Sequence, residues 1–375
     1  MYGAGLKDWV YLDASRKQEH RVRGSVCLWS TAIRLLLLQT MLVACYERRR
    51  SEVFPSKQTG ARNAVTRLRK NRPSEGRMWT QQRRRPRAFV CITGQLSRLE
   101  LDGKIDNLFQ PLYNTHDIDV AFVLSTGKAT FVAKRNDRIF HGAVPTYSTF
   151  KEVRAKIPRK FGMVRTQQIE QPESPILVSE YVDLLDKNSL NHTLKEERSR
   201  SHIRQWYVYQ KCLGMMDRFE KVVKKRYSIV MRMREDLFIA HPVDIDFVLE
   251  NVWGKILLVQ RCDSWGGMND KLVILHRGTA VKYFTTPLQQ FYLHPQAVFN
   301  FTGGGRVTNP ETFLLRAFER VGIKVVPISG EKLLGVPIRS STSGACFPLG
   351  LRSLSCLRRQ VGQDVMLYLQ RQRCT

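Results

Sequence analysis

The chain of 375 residues is long enough for one large domain or two ordinary ones, and a hydrophobic content of 43% allows a sizeable core. Its formal net charge of +28 is unusual for an enzyme and is concentrated near the start, where residues 1–87 hold 20 Lys and Arg against 6 Asp and Glu. None of the 8 cysteines forms a C-x-x-C pair, which argues against a structural zinc site.

The basic N-terminal region divides into three segments. Residues 1–25 form a polar tail, residues 26–46 are the most apolar stretch, and residues 47–87 form a stem with 14 basic and 3 acidic residues. The apolar stretch has the length that spans a bilayer, although Arg34 costs about 2.5–3.5 kcal/mol on an insertion scale. We interpret it either as a transmembrane signal anchor or as part of an organelle transit peptide. The stem lacks hydrophobic periodicity and is predicted to be disordered.

Order is predicted to begin at Ala88–Thr93, an apolar run typical of a buried parallel strand, which Gly94 is expected to end. A helix at Leu99–Leu112 and a second buried strand at Asp119–Ser125 complete a β-α-β unit with a right-handed crossover. The later predicted strands are Tyr227–Asp236, Lys255–Gln260, Lys271–His276 and Ile323–Ile328. The later predicted helices are Val178–Leu185, Glu196–Val223, Gly278–Phe284 and Asn309–Val321.

This alternation of strands and helices predicts one α/β domain over residues 88–328 with a mostly parallel sheet. A basic, Ser-rich tail follows at residues 329–375.

Two candidate motifs follow predicted strands, at the edge where open α/β sheets bind ligands. In the first, Gly94 allows a close backbone approach and Arg98 is placed to reach a phosphate. The second, Arg234-Glu235-Asp236, offers adjacent carboxylates that can hold Mg²⁺ or Mn²⁺ beside a diphosphate. The structural alternatives are a tight turn for the first motif and a solvated turn with surface ion pairs for the second.

A third motif is the loop DSWGGMNDK at Asp263–Lys271, whose chemically useful residues are Trp265, Gly266, Gly267, Asn269 and Asp270. The two glycines allow the loop to fold closely over a ligand, and the tryptophan offers a flat apolar face to a sugar ring. The asparagine and the aspartate can bind sugar hydroxyls, and Asp270 can instead act as a base.

A fourth motif, Asn309-Pro310-Glu311-Thr312, opens the last predicted helix. Asn309 suits the N-cap position, Pro310 suits the first helical position, and Glu311 suits the positive end of the helix dipole. The functional alternative is that Glu311 points into a cleft as a catalytic carboxylate.

In order and spacing, these motifs resemble poorly characterised eukaryotic proteins that carry a GT-A-like glycosyltransferase domain. The shared features are a GQLR-type turn at Gly94–Arg98, an R-x-R-x-D strand end at Arg232–Asp236, a WGG-x-ND loop at Trp265–Asp270 and a helix start at Pro310-Glu311. The resemblance covers residues 88–328.

The resemblance implies a GT-A-like, Rossmann-like mixed sheet flanked by helices, a nucleotide-sugar donor and a glycan or glycoprotein acceptor. It implies donor contacts from Gly94, Arg98, Arg234, Trp265, Gly266, Gly267 and Asn269, with Asp270 or Glu311 as the base. It also implies Mn²⁺ or Mg²⁺, held by Asp236. Typical GT-A enzymes have D-x-D where this chain has Arg234-Glu235-Asp236, so either Asp236 alone holds the ion or no ion is held.

The wider class further implies a single-pass protein of the Golgi, or of another secretory membrane, with its C-terminal domain in the lumen; targeting to another organelle is the alternative. Two other functions are consistent with the sequence. One is a catalytically inactive domain of the same fold that binds a glycan or a partner. The other is a nucleic-acid-binding protein, which would rest on charge alone because zinc-finger spacing, RNP-like strands and heptads are absent.

Overall fold

A computed structural model describes residues 85–126, 133–135, 138–140, 147–169, 175–185, 192–262, 264–300, 307–340 and 346–348. They belong to one compact unit, residues 81–375. The predicted tail at 1–25, the apolar stretch at 26–46 and the stem before residue 85 lie outside the described residues. Within those residues, no helix is both long and apolar enough to cross a membrane.

Seven strands form one mixed sheet at the centre of this unit. The strands in chain order are β1 (Arg87–Gln95), β2 (Asp117–Ser125), β3 (Ala133–Arg135), β4 (Arg138–Phe140), β5 (Val164–Gln168), β6 (Ile229–Arg234), β7 (Leu237–Ile239), β8 (Ile256–Gln260), β9 (Leu272–His276), β10 (Lys324–Ile328), β11 (Gly335–Ser340) and β12 (Cys346–Pro348). The sheet order is β10-β8-β9-β6-β1-β2-β5, with β9 antiparallel to both neighbours and the other pairs parallel. The predicted α/β class and mostly parallel sheet are confirmed.

Helices cover both faces of the sheet. They are α1 (Asp102–Lys104, a π-helical turn at Ile105–Phe109, and Gln110–Thr115), α2 (Phe150–Lys156), α3 (Ser179–Leu184), α4 (His192–Val223), α5 (Ile245–Asn251), α6 (Arg277–Leu293), α7 (Pro295–Phe299) and α8 (Pro310–Arg320). The core on one face joins the sheet to α4, α6 and α8, and the core on the other joins it to α1, α2 and α5.

Strand β1 shows why the first apolar run is continuous rather than alternating. Phe89 and Cys91 belong to the core on one face, whereas Val90 and Ile92 belong to the core on the other. Successive side chains of a strand point to opposite faces, so a strand covered on both sides needs an apolar residue at every position.

Two predicted boundaries near the first strand are wrong. Gly94 does not end β1, because Gly94 and Gln95 remain paired with β2 as far as Ser125. Helix α1 does not begin at Leu99 but at Asp102. The reason is that the backbone N–H of Glu100 donates to the carbonyl of Glu235 at 2.9 Å. This hydrogen bond holds the segment before α1 extended against the turn that follows β6.

A disulfide links the long helix α4 to the central sheet. Cys91 of β1 is bonded to Cys212 of α4, with Cα atoms 5.9 Å apart and 121 positions apart in the sequence. Both cysteines are completely buried. Cys262, which follows β8, is also disulfide-bonded.

The packed chain continues beyond the last predicted strand. Leu333, Leu334 and Val336 are completely buried. Strand β11 pairs antiparallel with β7, with Val336 opposite Phe238, and β12 pairs with β11. Leu333–Pro337 therefore pack against the segment that follows β6.

Candidate active site

The parallel strands β1 and β6 end side by side, and the turns after them form one edge of the site. Lys104 fixes the turn between β6 and β7: its Nζ donates to the carbonyls of Glu235, at 2.9 Å, and of Leu237. It also donates to the carbonyl of Glu100 at 2.7 Å and pairs with that side chain at 3.2 Å. Lys104 is completely buried. Since these hydrogen bonds hold backbone carbonyls in place, the turn that carries Glu235 and Asp236 has a fixed backbone.

Each carboxylate of that turn is paired with an arginine. Arg98 donates to Glu235, which is 1% exposed. Arg234 donates to Asp236 from Nε at 3.0 Å and from Nη2 at 2.8 Å, and Asp236 is completely buried. The Glu235 carboxylate lies against Gly94, where an added Cβ would come within 1.8 Å of it. Gly94 thus makes room for Glu235.

These carboxylates do not fit a divalent cation. Mg²⁺ and Mn²⁺ are held mainly by carboxylate and other oxygen ligands. Both oxygens of Asp236 already accept hydrogen bonds from Arg234, and Glu235 is engaged by Arg98. Among the residues that the structure describes, no group of three or more His, Cys, Asp or Glu side chains is placed to hold a metal ion.

Asp270 lies at the start of β9, beside the buried guanidinium of Arg232. Arg232 Nη1 is 3.6 Å from Asp270 Oδ2 and also donates to the Asp270 carbonyl, and Gln205 of α4 donates to Oδ2. Burial alone would raise the pKa of Asp270, but the positive charges of Arg232 and Lys271 hold it below its usual range. Asp270 is therefore ionised at neutral pH.

Glu311 stands at the first turn of α8, where Asn309 caps the helix through a capping box with Thr312 and Pro310 lies at the first position. The predicted structural role of this motif is confirmed. Burial, together with the negative charge of Asp270, raises the pKa of Glu311 to about 7. The two predicted catalytic residues thus interact electrostatically, and their environments move their pKa values in opposite directions.

The Trp265 loop is attached to the start of α8. The Met268 N–H donates to the Glu311 carbonyl at 3.0 Å, and the Asn309 side chain donates to the Trp265 carbonyl at 3.0 Å. Trp265 has a φ of +50°, which is rare for a bulky residue, and it is 44% exposed. Strained backbone conformations cluster at functional sites, which makes the exposed Trp265 a candidate ligand contact.

The other predicted loop residues hold the loop together. Gly266 has a φ of +80°, and an added Cβ at Gly267 would lie 2.2 Å from the Glu311 backbone. Asn269 is 1% exposed; its amide donates to the Cys262 carbonyl and accepts from the Lys271 N–H at 2.8 Å. These residues therefore position Trp265 and Asp270.

Helix α4 supplies polar residues that the sequence did not single out. Gln205 reaches Asp270, and His202 Nδ1 lies 3.0 Å from the hydroxyl of Tyr181. Burial, assisted by the positive charge of Arg198, lowers the pKa of His202 to about 3, so the ring is neutral at physiological pH. Both residues are adjacent in sequence to buried apolar residues of α4, Ile203 and Trp206. Polar residues at the border of an apolar helix face are the sequence signal that could have identified them.

Gly267→Ala is expected to lower the free energy of unfolding by about 1–3 kcal/mol, because the new methyl group overlaps the Glu311 backbone. The matched control is Gly214→Ala in α4, where nothing lies within 4 Å of an added Cβ; it should be neutral or stabilise by up to about 1 kcal/mol. Urea unfolding of both variants measures the difference. Equal stabilities would show that the loop does not pack on α8 as described.

The fold and the site define an α/β protein with a mixed, mostly parallel sheet and a cluster of charged groups where its parallel strands end. No family model and no curated protein matches the chain. It is similar to a crystal structure from Desulfovibrio desulfuricans G20, provisionally described as a nucleotide-diphospho-sugar transferase. That likeness has a TM-score of 0.29 and 11% sequence identity and covers 64% of this chain and 79% of the other. It is too slight to carry an argument about activity.

Proposed function

We propose that the protein is a glycosyltransferase that transfers a sugar from a nucleotide-sugar donor to a glycan or glycoprotein acceptor. The observation that carries the proposal is the electrostatically linked pair of Asp270 and Glu311, which lies where the Trp265 loop joins the start of α8. One carboxylate is ionised at neutral pH and the other has a pKa of about 7. Two titratable groups whose pKa values are moved apart by their surroundings are typical of acid–base catalysis.

In this proposal Glu311 is the base. A general base works best when its pKa lies near the working pH. Glu311 takes the proton of the acceptor hydroxyl while that oxygen forms a bond to the anomeric carbon and the nucleoside diphosphate leaves. Asp270 stays ionised, held by Gln205 and Arg232, and accepts a hydrogen bond from a sugar hydroxyl.

The donor is proposed to lie along the carboxyl ends of β1 and β6. Arg98 and Arg234 are partly exposed basic side chains at this edge, and each is positioned by a buried carboxylate. Trp265 provides an exposed apolar face for the sugar ring. The diphosphate of the donor would then contact the turns after β1 and β6, and its sugar would contact the Trp265 loop.

A panel of nucleotide-sugars tests the proposal on the full chain, since β11 packs on β7 and a shorter fragment would lose it. At least one donor should raise the melting temperature and be turned over, because a ligand that binds only the folded state stabilises it. If no donor binds with or without Mn²⁺, the protein is not a glycosyltransferase. If a donor binds but is never turned over, the domain is an inactive binding module. If it is turned over and Asp270→Asn and Glu311→Gln leave the rate unchanged, the catalytic residues lie elsewhere.

We also propose a lumenal location in the Golgi or another secretory compartment, with residues 26–46 as the anchor. The buried disulfide between Cys91 and Cys212 supports this, because such bonds persist in oxidising compartments. Protection of the C-terminal region from added protease in sealed membranes would be expected. Digestion of that region without detergent would exclude a lumenal domain.

A further inference from the structure

The turn after β6 holds carboxylates where the GT-A resemblance implies a metal ligand, yet guanidinium groups already engage them. Asp236 accepts from Arg234 with both oxygens, at 3.0 and 2.8 Å. Glu235 accepts from Arg98. A divalent cation would have to displace an arginine from a buried carboxylate before it could be bound.

We propose that Arg98 and Arg234 bind the diphosphate of the donor directly, while Glu235 and Asp236 position them, so that donor binding needs no divalent cation. The inference rests on the proposed glycosyltransferase function and assigns the class of ligand group that this edge of the site takes. It also assigns the two carboxylates as positioning residues rather than metal ligands.

In each ion pair the arginine is more exposed to solvent than the carboxylate, as a phosphate-binding role requires. Glu235 and Asp236 are 1% and 0% exposed, whereas the side chains of Arg98 and Arg234 are 17% and 26% exposed. A ligand arriving from solvent therefore reaches the cation of each pair and not the anion. An acidic cation site would show the opposite order.

In the 3-10 turn that follows β1, two buried polar atoms have no hydrogen-bond partner among the residues that the structure describes. They are Arg98 Nε and Ser97 Oγ, on adjacent residues. Buried polar groups are nearly always hydrogen-bonded, so each unpartnered one calls for an explanation. A phosphate oxygen accepts from both guanidinium N–H and hydroxyl groups and would satisfy both atoms.

Arg234 also has donors to spare. Its hydrogen bonds to Asp236 use Nε and Nη2, and the structure shows no acceptor for Nη1 among the described residues. A guanidinium group has five N–H donors in a fixed plane, so it can pair with a carboxylate on one edge and a phosphate on another. The two hydrogen bonds to Asp236 fix the orientation of the Arg234 guanidinium plane before a ligand binds.

Titration of the full chain with inorganic pyrophosphate, followed by calorimetry, tests the inference without knowledge of the nucleotide. Binding is expected in EDTA and should change less than twofold when Mn²⁺ replaces EDTA. Arg98→Ala and Arg234→Ala should each weaken it at least tenfold. The control is Arg226→Ala, which removes an exposed arginine just before β6, at the other end of that strand, and should leave the affinity unchanged.

Removal of either arginine leaves a buried carboxylate unpaired and can prevent folding. The charge-balanced variants Arg98→Ala/Glu235→Gln and Arg234→Ala/Asp236→Asn avoid this, and thermal melting verifies that they fold. They should bind pyrophosphate at least tenfold more weakly than the unaltered chain. Arg234→Lys, which keeps the charge but loses the planar fork, should be intermediate.

Binding that appears only with Mn²⁺ would overturn the inference, as would no pyrophosphate binding in either buffer or arginine variants that bind like the unaltered chain. Failure of the proposed function gives a different result. No nucleotide-sugar would then be bound or turned over, while EDTA-resistant pyrophosphate binding that depends on Arg98 and Arg234 would still establish the anion site.

Discussion

Glu311→Gln is expected to lower the turnover rate by about 10²–10⁴-fold, the usual contribution of a positioned general base. The amide keeps the size of the side chain and cannot take a proton. Substrate binding should change little, because the change removes an interaction of the transition state. Steady-state kinetics with the donor selected by the panel measures both quantities.

The pH dependence of the unaltered enzyme should identify the same group. The base is active when ionised, so kcat/KM should rise with pH and level off above the pKa of Glu311, which is about 7. Glu311→Gln should remove this rise. The control is Glu319→Gln, an exposed residue near the end of the same helix, paired with Arg316 at 2.9 Å, which should keep the wild-type profile. An unchanged rise in Glu311→Gln would assign the base elsewhere.

The same substitution should affect stability in the opposite direction. The pKa of Glu311 is raised from its usual 4.5, so the folded state holds a proton that the unfolded state has lost between these pH values. Stability therefore falls as pH rises through that window. Glu311→Gln should be more stable than the unaltered chain at pH 8, by about 1–2 kcal/mol, and should lose this advantage below pH 4.5. A variant that is less stable at pH 8 would contradict the burial of an ionised Glu311.

The elements predicted correctly from sequence are those whose pattern is strong within a single segment. The centres of β1 and β2, Ala88–Ile92 and Val120–Leu124, are apolar at every position because both faces are covered. Helix α8 has its own cap, with Asn309 and Pro310 preceding the apolar stripe. In these segments local chemistry and tertiary packing favour the same conformation.

The errors and omissions depend on contacts between distant segments. The extended backbone at Glu100 is set by Glu235, and β11 depends on β7, which has only three residues and no detectable periodicity. The role of Lys104 depends on carbonyls more than 130 residues away. These pairings exist only once the sheet has formed, so no local pattern predicts them.

The candidate site shows the same division. Asp270 and Glu311 were identified by residue type and by position before a strand and at a helix start, but their electrostatic coupling required the fold. From the sequence, Gly94 and Asn269 are expected to bind the donor. The structure places the first against Glu235 and gives the second a hydrogen bond to the Cys262 carbonyl. Residue type indicates which interactions a side chain can make, and long-range packing determines which group it contacts.

The second large effect is expected from the disulfide between Cys91 and Cys212. It closes a loop with a sequence separation of 121 residues, and loops of about 100 residues are stabilised by up to about 4.7 kcal/mol in the chain-entropy description. Cys91→Ala/Cys212→Ala should therefore lower the free energy of unfolding by about 3–5 kcal/mol. Urea unfolding under non-reducing conditions measures this, and peptide mapping by mass spectrometry should find Cys91 and Cys212 joined in the unaltered chain.

Reductant provides the control for this second prediction, because Cys262 also forms a disulfide. The double variant should still respond to reductant through Cys262, but by less than the unaltered chain does. Both Cys91 and Cys212 are completely buried, so the bond must form before or during packing of α4 on the sheet. Expression in an oxidising compartment should then give far more folded protein than expression in a reducing one. Equal yields from both compartments, with free thiols at Cys91 and Cys212, would remove the disulfide as support for a lumenal domain.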